Sequence, residues 1–562
     1  MKKFLILLLC MSIFLCVLVS CGETENDPEN ETPGSSSTNG NGTGESVDDG
    51  DNDDGFVPNL DEVKYQYNLE EYLELPLYNG YKIEISLDAV QQQIDTFIME
   101  KATMSKKTVC MVGDVVNIGF IGYRLDEGGE IQCNDKGEPE IFEEAQSYGV
   151  YLGSHMTVSE FETGIIGMKI GDIKEVYVTF PNDYFEKSLA GKTVMFEIML
   201  NAIFDSPVFN DEFVQKNFQD YDSVESYVRY VKNSTALNDV YKYIIENTVV
   251  KSYPTKEYDK LAKELESIAD NFKDDYKIEL DVYLEQEYGL TRDEYIKEQL
   301  LKEMIFYAIA SKEGLVPTDD EIIQERKELV EYYTKEYNGS GMNYRDAQAK
   351  AKDFVNSLGT SYLYENVIYE KVDAKLAELA KITEKPMTYK SVTQYLSERE
   401  GKETGKKVGD LCPSFEAEVF DENGSLSTTV DPTRNVGRIT VINLWGTWCG
   451  PCRNELPDFD RVATEYADQL TVFAIHSSYN YGDASEYVLN NFKDSNIIFL
   501  KDYLKNPDEA DGEDVLYELL CGTGYYPHTL ILDESGKIIS VTIGAITYDK
   551  LITLLEQAGL EK

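Results

Sequence analysis

The stretch NLWGTWCGPCRNELP, residues 443–457, carries two cysteines two residues apart, and how that pair is read decides the fold of the C-terminal part of the chain. Such a pair can be half of a zinc site, a structural bridge or a redox couple. Upstream, ITVINLWGTWC is a continuous apolar run from Ile439, the pattern of a buried strand in a parallel sheet, and RNELPDFDRVATEYA continues the motif as a helix. Strand, motif, helix is the setting of a redox pair. Zinc would need a second ligand pair, and the three histidines, His155, His476 and His528, stand at no ligand spacing from Cys449 and Cys452. The reading calls for no metal and no cofactor. At a helix N-terminus Cys449 meets unpaired N–H groups and the positive end of the dipole, which favour thiolate, so it is the expected attacking sulfur. Cys452, deeper in the helix, is the expected resolving sulfur.

A chain of 562 residues exceeds a single core, so several domains are expected. With 103 acidic and 52 basic residues the net charge is -51, which repels phosphate backbones and argues against a nucleic-acid partner. The N-terminus reads as an export signal over residues 1–20: Lys2 and Lys3, an apolar run from Phe4 to Val19, then Leu18-Val19-Ser20-Cys21. That tetrapeptide resembles the bacterial lipobox, which implies that Cys21 is lipidated and becomes the first mature residue. The other reading is an uncleaved membrane helix. Residues 21–57 are dominated by Gly, Ser, Thr, Asn, Asp, Glu and Pro, a composition that cannot bury enough apolar area to fold. As a flexible coil this tether would span roughly 30 Å. The expected location is extracytoplasmic, anchored to a bacterial membrane, where thiols are not automatically kept reduced. Cys110, Cys133, Cys412 and Cys521 then remain beside the motif pair.

Between residues 111 and 204 alternation dominates, with Val116, Ile118 and Phe120 on one strand face, Val176, Val178 and Phe180 on another, and Val194, Phe196, Ile198 and Leu200 on a third. GDVVNIGFIGY, VYLGSH, FETGIIGMKIGDIKEVYVTFPNDYF and LAGKTVMFEIMLNAI resemble the FKBP-type prolyl isomerase domain of trigger factor, an α+β fold. SLDAVQQQIDTFIMEKA resembles the helix of its lead-in segment, placed at residues 58–110. The resemblance implies a client-binding pocket walled by Phe120, Phe142, Glu143, Val158, Phe161, Tyr184 and Phe196. The competing reading is that the aromatics only fill a barrel core. Where the family reads Ile-Pro-Gly this chain has Val158-Ser159-Glu160, an acidic residue that could spoil an apolar floor.

Helical spacing prevails over residues 208–396. Thr291 and Glu294, and Thr318 and Glu321, form capping-box patterns. Ile296, Leu300 and Met304, then Leu301, Ile305 and Ile309, make a wide stripe, and Ile368, Val372, Leu376 and Leu379 stripe a helix ending before Pro386. NDEFVQKNF and ENVIYEKVDAKLAELAKITEKPMTY resemble the start and end of trigger factor's all-α C-terminal domain, whose arms cradle unfolded chains. A helical spacer is the alternative. No stretch resembles the ribosome-docking segment of that family.

Over residues 405–562, GDLCPSF, VINLWGTWCGPCRNELP and YYPHTLILDESGKI resemble the TlpA/ResA group of α/β thioredoxin-like domains. The resemblance implies a cis-proline at Pro527 beside the sulfurs, with the Tyr526 backbone offered to the client. Asn443 stands where cytoplasmic thioredoxins carry a buried aspartate, which leaves Glu455 as the candidate proton acceptor for Cys452; an ordinary exposed glutamate is its other reading. The fold family further suggests a Cys412–Cys521 bridge, with Cys110–Cys133 a weaker pair. Gly450-Pro451 resembles the reducing thioredoxins. The expected molecule is a multidomain, lipid-anchored folding factor, both thiol–disulfide oxidoreductase and prolyl isomerase with chaperone arms. Its expected partners are unfolded or disulfide-bonded exported proteins and a membrane electron donor. The rival is a non-catalytic holdase or adaptor with an inactive isomerase site and a docking thioredoxin-like domain.

Overall fold

A computed structural model describes residues 56–126, 128–134, 136–218, 221–420, 426–479, 481–505 and 514–561. The export signal, Cys21 and the tether up to residue 55 lie outside the described residues. No helix among the described residues is long and apolar enough to cross a membrane. The chain divides into two compact units, one of residues up to Ile85 with Lys232–Glu384, the other of Ser86–Val231 with Lys385–Lys562.

In the second unit the apolar run Ile439–Trp445 is a fully buried strand at the heart of a seven-stranded sheet. It pairs in parallel with Leu470–His476 on one side and antiparallel with His528–Leu532 on the other. Outward from these lie Ile498–Lys501, Ala417–Phe420 and Leu426–Val430 at one edge and Ile538–Ile543 at the other. An apolar strand buried on both faces needs cover on both. The motif helix Gly450–Glu465 and the helix Tyr548–Gln557 contribute Leu456, Phe459, Leu551 and Leu555 to one cluster. The opposite face packs Ile442, Leu444, Phe473 and Leu530 against Leu516 and Leu520.

The same unit holds an antiparallel sheet ordered Thr103–Met104, Thr193–Asp205, Asp114–Arg124, Ile141–Tyr151, with Ile173–Thr179 also paired to Thr193–Asp205. The faces read from alternation converge. Val116, Ile118, Phe120, Val176, Val178, Phe180, Val194, Phe196, Ile198 and Leu200 are all buried in one cluster. Helix Ser159–Ile165 lies on this sheet so tightly that a Cβ at Gly164 would stand 2.5 Å from Val176 Cγ1.

Helix Val392–Arg399 joins the two sheets. Its first residue fits beside two glycines of the isomerase-like part: added Cβ atoms at Gly153 and Gly113 would lie 3.2 and 3.5 Å from the Val392 side chain. Ser391 caps the helix and also donates to buried Asp95, and Tyr151 shares a hydrogen bond with Thr393. At the other end Arg399 donates to the carbonyls of Ser535 and Cys412 in the thioredoxin-like part. Val109 and Met111, just before the first long isomerase strand, are buried in the cluster of Cys412, Ile442 and Leu444.

The first unit is helical. Both capping boxes form, opening helices Arg292–Glu313 and Asp319–Gly339. Ile296, Leu300, Met304, Ile305 and Ile309 are buried, as are Ile368, Val372 and Leu376 on Tyr344–Leu379. That long helix is interrupted at Gly359, whose φ of 80° only glycine adopts freely. The chain after the tether is stitched into this unit: Asn59 N–H donates to Thr360, and Lys64 pairs with Glu303 and Glu365 at 3.2 and 3.0 Å.

The expected structural bridges are not formed. Cys110, Cys133, Cys412 and Cys521 are free. Cys110 Sγ donates to the Ile165 carbonyl within the isomerase core, whereas Cys133 is exposed on a hairpin. Cys521 packs against the cluster that buries Cys412, but its thiol turns back to the Tyr517 carbonyl of its own helix. Burial pushes both the Cys110 and Cys412 thiols up to about 12, which keeps them protonated and unreactive.

Candidate functional site

Cys449 and Cys452 form a disulfide. Cys449 caps the motif helix, its sulfur accepting from Cys452 N–H at 3.2 Å, which is the arrangement that stabilises a thiolate once the bond opens. Cys449 is 8% exposed and Cys452 fully buried, so an incoming sulfur can reach only the first. The Tyr526–Pro527 bond is cis, and Trp448, 42% exposed, packs edge-on to Tyr526 at 5.8 Å, bringing the cysteine loop and the cis-proline loop together. Tyr526 is fixed in turn by donating its hydroxyl to Asp514 at 3.0 Å.

Glu455 is only 2% exposed and therefore not a surface glutamate. Its carboxylate accepts from Asn443 Nδ2 at 2.9 Å and from Ile546 N–H at 2.8 Å, and burial pushes its pKa up to about 7. Asn443 also donates to Thr529 at 3.0 Å while its own side-chain oxygen has no hydrogen-bond partner. The amide orients the acid and takes no proton. A carboxyl poised near neutrality, three residues after the resolving cysteine, can hold or release a proton at the pH where exchange occurs.

Two contributors carry no sequence signal of their own. His476 ends the strand parallel to the motif strand, in register with Trp445. Its Nε2 accepts from Thr447 N–H at 2.9 Å, so Nδ1 carries the hydrogen donated to the Ser477 carbonyl, and the ring packs edge-on to both Trp445 and Trp448. It thereby fixes the loop that delivers Cys449. The second is Thr529, which needs the antiparallel register to meet Asn443.

In the isomerase-like part Phe120, Phe161 and Phe196 are buried and meet edge-to-face at 4.9–5.9 Å, with Phe142 half-buried against Phe196 at 5.5 Å. Glu143 is exposed. Val158 and Tyr184 rest against this aromatic core and also line a cavity of about 730 Å³, whose other walls include Met156, Phe180 and Phe185. Of the seven expected wall residues only these two line the cavity. Glu160 is exposed at that cavity and so does not enter the aromatic core. The buried carboxylate of this region is instead Glu162, whose oxygens accept from the N–H groups of Gly153, His155 and Thr157 and shape the loop before the helix.

Residues 106–201 match the FKBP-type peptidyl-prolyl cis-trans isomerase family, and residues 408–541 match the AhpC/TSA family. The chain carries two enzyme domains. One matches the FKBP-type prolyl isomerase family, the other is a thioredoxin-like fold that matches the AhpC/TSA family. The chain is also 27% identical to the trigger factor of Finegoldia magna over 368 residues, 60% of this chain and 77% of that one. It is 24% identical to the trigger factor of Acetivibrio thermocellus over 340 residues, 55% of this chain and 73% of that one. Among solved structures, a putative thiol:disulfide interchange protein DsbE from Chlorobium tepidum aligns at 22% identity over 27% of this chain and 97% of that one, with a TM-score of 0.22.

Proposed function

We propose that this protein is an extracytoplasmic, lipid-anchored folding factor in which a disulfide reductase or isomerase works beside a prolyl isomerase and chaperone arms. The observation that carries the reading is the Cys449–Cys452 couple at the head of the motif helix, with Trp448 packed on the residue of the cis bond and Glu455 buried near neutrality. The Cys449 thiolate attacks one sulfur of a client disulfide, and the other client sulfur leaves as thiolate. Cys452, giving its proton to Glu455, then attacks Cys449 Sγ and frees the second client thiol. The protein's couple ends oxidised and the client reduced, so two electrons must return from a membrane donor. For prolyl isomerisation no acid or nucleophile is needed. A wall of Val158, Tyr184 and Phe180 takes the X-Pro amide out of water and lowers a barrier of about 18–20 kcal/mol. Export and lipidation at Cys21 rest on the N-terminal sequence alone.

The test uses the membrane fraction of cells making the full chain. Cys452→Ala is expected to accumulate mixed disulfides with exported proteins through Cys449, and Cys21→Ser to release the protein from the membrane. A redox titration followed by Trp445 and Trp448 fluorescence is expected to give a potential near the thioredoxin value of about −270 mV; one more oxidising than about −180 mV reverses the direction assigned. Absence of any trapped client, with no disulfide turnover in the parent, favours the holdase.

A further inference from the structure

In the redox domain one carboxylate ties together two loops that meet beside the cysteines. Ile439–Trp445 and Leu470–His476 run parallel, so the Trp448 loop and the Ser477–Tyr479 turn leave the sheet at the same end. His528–Leu532 runs the other way, so Tyr526 and Pro527 enter the sheet at that end too. Asp514, half-buried, joins the last two loops. Its Oδ2 accepts from the Tyr526 hydroxyl at 3.0 Å, and its Oδ1 accepts from Ser478 N–H at 3.0 Å and from the Ser478 hydroxyl. Ser478 lies two residues beyond His476, which receives the Thr447 N–H of the cysteine loop. The carboxylate thus connects the cis-proline loop to the brace of Cys449. From a second side Tyr517 packs on the Tyr526 ring at 4.6 Å and donates its hydroxyl to the Tyr525 carbonyl at 2.8 Å, its own N–H being held by buried Asp502. The main chain of Tyr526 itself is left over: among the described residues its N–H and carbonyl have no hydrogen-bond partner.

Main-chain groups that pair with an incoming polypeptide serve best when ordered beforehand, because ordering them on contact costs conformational entropy. A hydrogen bond to a carboxylate orders more firmly than one between neutral groups. Resting on the disulfide-exchange reading of this domain, we propose that Asp514 is a positioning residue for polypeptide clients: through Tyr526 and Ser478 it holds the free main chain before Pro527 in place beside Cys449. Asp514 takes no part in the transfer of electrons. The Cys449 thiolate still opens the client disulfide, Cys452 still closes the couple, and the client leaves as two thiols. A protein disulfide therefore gains from the ordered edge, whereas a small disulfide without peptide groups has nothing to lay along it.

The test is single-turnover oxidation of the reduced full chain, followed by Trp445 and Trp448 fluorescence, with two oxidants: insulin, a protein disulfide, and hydroxyethyl disulfide, which has no peptide group. The readout is the ratio of the two second-order rate constants, which does not depend on the fraction of each variant that folds. Asp514→Ala is expected to lower the ratio by roughly tenfold, about what one hydrogen bond to a charged group supplies. Tyr526→Phe removes the same contact and should lower it similarly, with no further loss in the double variant. In Asp514→Asn the amide oxygen still accepts from Ser478 and the nitrogen can donate to the tyrosine oxygen, so most of the ratio should return. A ratio unchanged in Asp514→Ala, both rates falling together, or losses that multiply in the double variant overturns this inference and leaves the disulfide-exchange reading standing. A parent that reacts with neither disulfide overturns both.

Discussion

At the scale of the residue, Glu455 shows how burial turns an ordinary acid into a proton carrier. Its pKa lies near 7 chiefly because charge is costly inside the fold; the Ile546 N–H and Asn443 amide offset only part of that cost. The acid is therefore ionised only above about pH 7, and resolution of a mixed disulfide by Cys452 is expected to slow as pH falls through that value. In single-turnover resolution, where Cys449 is already bonded, Glu455→Gln should be slower by on the order of 10²-fold at pH 8 and should lose this step of the pH profile. Stability gives an independent sign. A folded-state pKa raised above the unfolded one favours the fold at acid pH, and that contribution is lost as pH rises through about 7. The glutamine variant should accordingly show a flatter dependence of denaturation midpoint on pH between 5 and 8. A profile unchanged in both measurements would remove Glu455 from the mechanism. The role of Cys449 is legible from a local pattern because motif, strand and helix are contiguous in sequence. Glu455 is legible with it, as a candidate beside Asn443, but the Thr529 contact to Asn443 and the His476 brace are not, since each depends on a register between strands apart in the chain.

Elements were legible where periodicity and capping agree. The two Thr-x-x-Glu boxes open helices where the sequence places them, and the alternating strands of the isomerase-like part bury the faces that alternation marks. What alternation cannot give is how closely a helix approaches a sheet. In FETGIIG, Gly164 lets helix Ser159–Ile165 lie against Val176, where a methyl group would meet Cγ1 and Cγ2 at 2.5 and 2.7 Å. Gly164→Ala must push that helix outward, and Val158 at its N-cap lines the isomerase cavity. The expected result is a loss of about 1–3 kcal/mol in denaturant unfolding, as for other overpacked cores. Isomerase turnover should fall, and disulfide exchange at Cys449 should be unaffected under native conditions. The pocket aromatics illustrate a second limit: Phe120, Phe161 and Phe196 match a family pattern, yet one wide side chain can serve as core filling and as pocket floor, and only packing distinguishes the two. Free thiols at Cys412 and Cys521 are the same lesson in reverse, since neighbourhood in a fold does not aim two sulfurs at each other.

At the scale of the molecule, the sequence orders isomerase, helices and thioredoxin-like domain along the chain, but residues from Lys385 onward pack with the isomerase-like sheet as well as with the redox domain. The cause is the short helix Val392–Arg399, which looks in sequence like one more amphipathic turn. Its side chains divide between the two domains: Val392, 1% exposed, fills the space left by Gly113 and Gly153, while Arg399 is held by carbonyls of the redox domain. Two catalytic domains clamped by a common helix, and sharing Val109 and Met111 in one apolar cluster, should unfold together. Both tryptophans lie beside the redox motif, so their fluorescence reports that domain alone, and prolyl isomerisation reports the other. In the parent, the two signals are expected to be lost at the same denaturant concentration. Val392→Ala leaves a cavity between the glycines and removes roughly 1–2 kcal/mol of apolar contact from the clamp, so the two transitions should separate. If they separate already in the parent, the helix is a passive connection and each domain folds on its own account. If they stay together in Val392→Ala, the coupling runs instead through the Val109 and Met111 cluster, and Met111→Ala is the variant that should part them.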